Sequence, residues 1–83
     1  MKKHFSGLFE DEVAEELRTC SRSALIRSGH ASWRPSKAIH DDGWYSTGAG
    51  WYSFCVNNRP AGTVNARFLV NWLAHTEFTI EED

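Results

Sequence analysis

The sequence predicts a small α+β domain: an N-terminal helix, a short antiparallel meander of about three strands, a C-terminal helix and a terminal strand at a sheet edge. Two observations predict this class. Apolar residues recur at helical spacing near both ends of the chain, whereas the middle consists of short apolar runs separated by Gly, Pro, Asn and Asp. A chain of 83 residues forms one domain, residues 1–83, with a thin hydrophobic core.

The first helix is predicted over residues 9–27. Ser6 or Gly7 lies near its N-cap, and Gly29 is placed to end it in the left-handed conformation. Acidic residues crowd the first turns and arginines the later ones, which suits the helix dipole. The apolar stripe has spacings of four and three and consists of Phe9, Val13, Leu17, Cys20 and Ala24.

The middle of the chain is predicted to form the meander. Asp41-Asp42-Gly43 is a turn signal, and short strands follow at residues 44–47 and 51–57 with a Gly-Ala-Gly turn between them. In the second strand, alternation places Trp51, Ser53 and Cys55 on one face and Tyr52, Phe54 and Val56 on the other. A turn over residues 57–62 returns the chain through a third strand at residues 63–64.

The second helix is predicted over residues 66–75, with Asn65 as its N-cap. The apolar residues of this segment also permit a buried strand, but the length of the segment and its Ala, Leu and Arg content favour a helix. We expect Leu17 and Trp72 to be core residues on the facing sides of the two helices. Residues 76–80 alternate polar and apolar and predict the terminal strand.

Composition limits the classes of function. A net charge of −2 and a pI near 6.0 argue against general electrostatic binding of nucleic acid or anionic membranes. No apolar run approaches the roughly 20 residues that span a bilayer, and no secretory h-region follows Met1, so a cytoplasmic protein is expected. Cys20 and Cys55 are then expected to be reduced, mostly buried thiols.

Catalytic and cofactor signatures are missing from the sequence. The cysteines and histidines lack Cys-x-x-Cys or His-x-x-x-His spacing, so no metal site is expected. Cys55 lies in mid-strand among aromatic residues, where a thiol is normally inert. The Gly48–Gly50 turn lacks the lysine and helix of a phosphate loop. We therefore expect neither an enzyme nor a cofactor.

The doubled Gly-Trp-Tyr-Ser motif, starting at Gly43 and Gly50, predicts the position of the binding surface. Neighbours on a strand point to opposite faces, so one aromatic residue of each Trp-Tyr pair lies outward, and we expect the tyrosines there. Rings beside arginines are typical of binding hot spots, although they also suit a cage for a sugar or a quaternary ammonium. The predicted partner-binding residues are Tyr45, Tyr52, Trp44, Trp51, Arg34 and Arg59.

The preferred function is therefore a non-enzymatic interaction module that binds and modulates a larger protein or protein complex, with inhibition as the favoured effect. In size, acidity and tryptophan content the chain resembles, in style only, the inhibitors of host machinery that phages and mobile elements encode. The alternative is a small nucleic-acid-binding protein that uses the basic segment 18–37. Its predicted binding residues are Arg18, Arg22, Arg27, Trp33 and Lys37. The sequence leaves open the identity of the partner, inhibitor versus adaptor, and the oligomeric state.

Overall fold

A computed structural model describes residues 1–36 and 50–82. Within these ranges the protein is a mixed α+β fold that consists mostly of sheet, with two helices and a six-stranded antiparallel sheet. The elements are β1 (Lys2–Phe5), α1 (Glu10–Thr19), β2 (Leu25–Ser28), β3 (Ala31–Pro35), β4 (Trp51–Val56), β5 (Arg59–Asn65), α2 (Ala66–Leu73) and β6 (Phe78–Glu81).

The order of strands in the sheet is β1-β6-β2-β3-β4-β5, and every neighbouring pair is antiparallel. The C-terminal strand was expected at an edge, and this prediction is wrong, because β6 lies between β1 and β2. The edge beside β6 is formed by β1, a strand that the sequence did not indicate. The Met1 amino group donates a hydrogen bond of 2.6 Å to the carbonyl of Glu82, which holds the two ends of the described chain together.

The first helix is shorter than predicted. It begins at Glu10, where the Phe9 backbone N–H donates to Oε1 of Glu12 over 2.9 Å, and it ends at Thr19. Residues 25–27 of the predicted helix instead belong to β2, because this segment pairs with both β3 and β6. Gly29 has a φ of +60° and turns β2 into β3 instead of ending a helix.

The hairpin of β4 and β5 confirms the second predicted strand and extends the third one. Asn57 and Asn58 form its two-residue turn with φ angles of 53° and 65°, a left-handed conformation that Asn tolerates better than most residues. The register shifts between Phe54 and Cys55, so that Gly62 lies opposite Phe54. The predicted strand at 44–47 lies outside the described residues.

The second helix agrees with its predicted start. The Phe68 backbone N–H donates to Oδ1 of Asn65 over 2.8 Å, which caps α2 at its N-terminus. Of the described helices, neither has the length and apolar composition needed to cross a membrane.

Both helices pack on one face of the sheet, which we call the helix-covered face, and share a single hydrophobic core with it. The opposite face, which we call the open face, carries no helix of the described residues. The core consists of Val13, Leu17, Ala24, Ile26, Ala31, Trp33, Tyr52, Ala66, Leu69, Val70, Leu73, Phe78 and Ile80.

Candidate contact surface

An exposed group of apolar side chains lies on the helix-covered face, where α2 leaves part of the β4–β5 hairpin uncovered. We call it the aromatic patch, and it consists of Phe54, Val56, Phe68 and Trp72. Phe54 and Val56 are alternate residues of β4 that project from the helix-covered face. Phe68 and Trp72 lie one turn apart on α2. Phe68 is 50% exposed, Trp72 41% and Val56 38%, whereas Phe54 is half-buried.

The rings of the patch are held by contacts with one another and with the core. The ring of Phe54 stacks on Trp33, with centroids 5.6 Å apart and planes within 14°. The indole of Trp72 meets Trp33 and Phe54 edge-on at 5.4 Å and 5.6 Å, and Phe68 leans on Trp72 at 5.9 Å. Because the buried Trp33 forms the floor, the exposed rings have a defined arrangement before any partner binds.

A gap beside Phe54 keeps the patch open. Its cross-strand neighbour on β5 is Gly62, whose φ is +120°, and a Cβ atom built there would meet nothing within 4 Å. A larger residue at this position would cover the hairpin next to Phe54. The glycine therefore leaves open space on the hairpin opposite Phe54.

A cation lies at the rim of the patch. Arg59 is the cross-strand partner of Val56, so the two side chains project from the same face of the hairpin. Arg59 is exposed and forms no ion pair within residues 1–36 and 50–82. The patch thus combines apolar rings with one available guanidinium group.

The structure corrects the predicted orientation of the Trp51–Tyr52 pair. Tyr52 was expected to point outward but is fully buried in the core, whereas Trp51 is 37% exposed on the open face. The reason is that Tyr52 shares its face with the core residue Trp33 and the buried Pro35 of β3, and both helices pack on that face. Tyr52 is therefore in no position to contact a partner of the folded protein.

The other predicted contact residues are separated. Arg34 lies on the open face, whereas Arg59 lies beside the aromatic patch on the opposite side of the sheet. Trp44 and Tyr45 lie outside the described residues.

The alternative, nucleic-acid-binding set does not form one surface either. Trp33 is only 1% exposed, so its expected stacking on bases is wrong: it is a core residue. Arg18 pairs with Glu15 one helical turn away, and Arg27 approaches Glu81 at 3.9 Å on the open face. Arg22 is exposed between α1 and β2, and Lys37 lies outside the described residues.

The α2 sequence contains the aromatic residues of the patch, but their spacing predicts a core face. Leu17 is buried as predicted, but Trp72, its expected partner in the core, is half-exposed. Adjacent helical residues are about 100° apart around the axis. The two members of the pair Phe68-Leu69 therefore do not point in the same direction, and the same holds for Trp72-Leu73. Leu69 and Leu73 take the core side, and the aromatic residues form a second, outer stripe.

Reactive groups are few among the described residues. No three or more His, Cys, Asp or Glu side chains of residues 1–36 and 50–82 are grouped to hold a metal ion. Cys20 and Cys55 are free and half-buried. Burial, with a smaller contribution from the nearby Glu82 carboxylate, raises the pKa of the Cys20 thiol to about 11, so this thiol is a poor nucleophile near neutral pH.

Comparison of the chain with protein-family models, curated proteins and solved structures finds no significant match in any of the three.

Proposed function

We propose that the protein is a non-enzymatic interaction module whose aromatic patch binds a larger protein and inhibits it by covering a working surface. The observation that carries this proposal is the exposure of Phe68 and Trp72 on a helix whose other side is fully buried. Contiguous exposed apolar rings on a soluble domain mark interaction sites. Single exposed apolar residues would not carry the same weight.

The composition of the patch supports a protein partner. Trp and Arg are among the residues most enriched at binding hot spots, and Trp72 and Arg59 supply both here. The ring contacts to Trp33 and Phe54 fix Trp72 in advance, which reduces the conformational entropy lost on binding. A partner that fits would present an apolar side chain to Phe54 and a carboxylate to Arg59.

Strand addition at the sheet edges is a less favourable way to bind. The β1 edge carries Lys2 and Lys3, and charged side chains oppose edge-to-edge pairing. The β5 edge contains Pro60, which has no N–H to donate, and a register shift that disturbs its ladder. These features favour the patch over the edges as the contact surface.

Photocrosslinking tests the proposal with a matched pair of positions. Benzoylphenylalanine replaces Phe68 in the patch in one variant and Phe9, which is 62% exposed at the start of α1, in the other. We expect the position-68 variant to crosslink one protein in a cell lysate and the position-9 variant not to crosslink it. Crosslinking of the same proteins from both positions, or of none from position 68, would contradict the proposal.

A second measurement links the crosslinked protein to the patch. Trp72→Ala should weaken its binding by more than about 1 kcal/mol. Arg18→Ala, on the exposed side of α1, is the control and should leave the affinity unchanged. Inhibition is tested by assaying the partner's own activity with and without the wild-type protein.

A further inference from the structure

The open face of the sheet is polar and positively charged, although the whole chain has a net charge of −2. Of the residues that the structure describes, Lys2, Arg27 and Arg34 project from it together with one acidic residue, Glu81. The largest acidic group lies on α1, in the helical layer behind the sheet. It consists of Glu10, Asp11, Glu12, Glu15 and Glu16. The net charge therefore conceals a separation of charge between the two layers.

An exposed indole lies on this basic face. Trp51 is 37% exposed, and it makes no contact with another aromatic ring of the described residues. Ser53, two residues along β4, is the cross-strand partner of Arg34, which makes Trp51 the diagonal neighbour of Arg34. Diagonal neighbours lie about 7–8 Å apart, within reach of long side chains.

We propose that the open face binds single-stranded nucleic acid, with a base stacked on Trp51 and phosphates held by Arg34 and Arg27. Exposed aromatic rings that stack bases, combined with cations that follow the backbone, are the usual basis of single-strand binding. The three side chains come from the adjacent strands β4, β3 and β2, so they cross the sheet in order. This surface is separate from the aromatic patch, and the inference is independent of the proposed function.

The state of the two arginines suits this role. Arg34 donates one hydrogen bond of 3.4 Å to the carbonyl of Ser23 and forms no ion pair within the described residues. Arg27 lies 3.9 Å from Glu81 with half of its side chain exposed, a contact that phosphate can replace. Hydroxyl groups of Ser53 and Thr63, which are cross-strand partners, add hydrogen-bond donors on the same face.

An acidic protein segment is the competing occupant of a basic face. It would satisfy Arg27 and Arg34 but would not need the exposed ring of Trp51. A single strand uses both features at once, because every base presents a face for stacking and every linkage carries a phosphate. The juxtaposition of Trp51 and Arg34 therefore favours nucleic acid.

Fluorescence anisotropy of a labelled oligothymidylate of about ten nucleotides tests the proposal on the full chain. We expect saturable binding that weakens as salt rises and that weakens at least fivefold (about 1 kcal/mol) in Trp51→Ala. Trp51→Phe should keep most of the affinity because a smaller ring still stacks. Arg34→Gln should reduce the slope of log K against log salt by about 0.7, the contribution of one phosphate contact to a single strand.

Controls separate this surface from the rest of the molecule. Trp72→Ala, in the aromatic patch, should leave oligonucleotide binding unchanged, and circular dichroism should show that each variant is folded. No saturable binding, an unchanged affinity in Trp51→Ala, or equal binding of polyglutamate would each overturn the proposal. The last result would identify the open face as a site for acidic protein segments.

Discussion

The indole of Trp72 lies edge-on against the buried indole of Trp33, with ring centroids 5.4 Å apart and planes inclined by 75°. One of these residues is in the core and the other is half-exposed, so the contact joins the interior directly to the aromatic patch. In a domain with a thin core, a surface residue held in this way has a fixed position and little freedom to lose on binding.

Trp33 and Trp51 form a matched pair for testing which sheet face is the core. Trp33→Ala should lower the free energy of unfolding by about 3–5 kcal/mol, because it leaves a large cavity beneath both helices. Trp51→Ala should cost clearly less, because Trp51 is already 37% exposed on the open face. Urea unfolding of both variants checks this, and similar losses from the two would contradict the assigned faces.

Trp33→Phe keeps the comparison informative if Trp33→Ala does not fold. The Nε1 atom of Trp33 is buried and donates to no atom of the described residues. Phe retains a ring that can stack on Phe54 and removes this unsatisfied donor, which partly offsets the smaller volume. We expect Trp33→Phe to be clearly more stable than Trp33→Ala.

The sequence predicts structural features correctly where they depend on residues that are neighbours in the chain. The cap at Asn65 and the alternation along β4 depend on residues close in the chain, and both predictions are confirmed. The sequence predicts helix through residue 27, whereas residues 25–28 form a strand whose partner β6 lies more than fifty residues away in the chain. The burial of Tyr52 also depends on distant parts of the chain, because the two helices cover only the sheet face from which Tyr52 projects.

Substitution by alanine should change stability in opposite directions at Asn65, the N-cap of α2, and at Asn71 within the helix. Asn65→Ala removes the acceptor for the Phe68 N–H and should cost about 0.5–2 kcal/mol of stability. Asn71 is exposed within the same helix, where alanine has the better helix propensity, so Asn71→Ala should stabilise by a few tenths of a kcal/mol. Thermal melts distinguish the two, and a destabilised Asn71→Ala would contradict its exposed position.

Asn58 tests the left-handed turn between β4 and β5. Its φ of 65° strains residues with a Cβ, and alanine lacks the polar side chain that helps Asn adopt this conformation. Asn58→Ala should therefore destabilise the protein by about 1 kcal/mol, whereas Asn58→Gly should be neutral or slightly stabilising. Equal melting temperatures for the two variants would show that the turn is not held in the left-handed region.

The Cys20 thiol should be protected from alkylation, and its raised pKa should lower the free energy of unfolding at alkaline pH. Cys20 and Cys55 are the two cysteines of the chain, so Cys55→Ala leaves Cys20 as the single thiol. With the pKa of Cys20 at about 11 in the folded state, alkylation at pH 8 should be on the order of a hundredfold slower than in the unfolded chain. Glu82→Gln should speed the reaction, because the Glu82 carboxylate also raises this pKa.

The sign of the stability effect follows from the same shift. The unfolded chain loses the thiol proton first as pH rises above about 8.5, so deprotonation favours unfolding between that pH and the folded pKa. Below this window the contribution of Cys20 is constant. Other groups also titrate there, so the measurement is the difference in unfolding free energy between Cys55→Ala and the double variant Cys20→Ala/Cys55→Ala. That difference should shift against the Cys20-containing protein at alkaline pH; a pH-independent difference, with alkylation as fast as in the unfolded chain, would show that Cys20 is not buried.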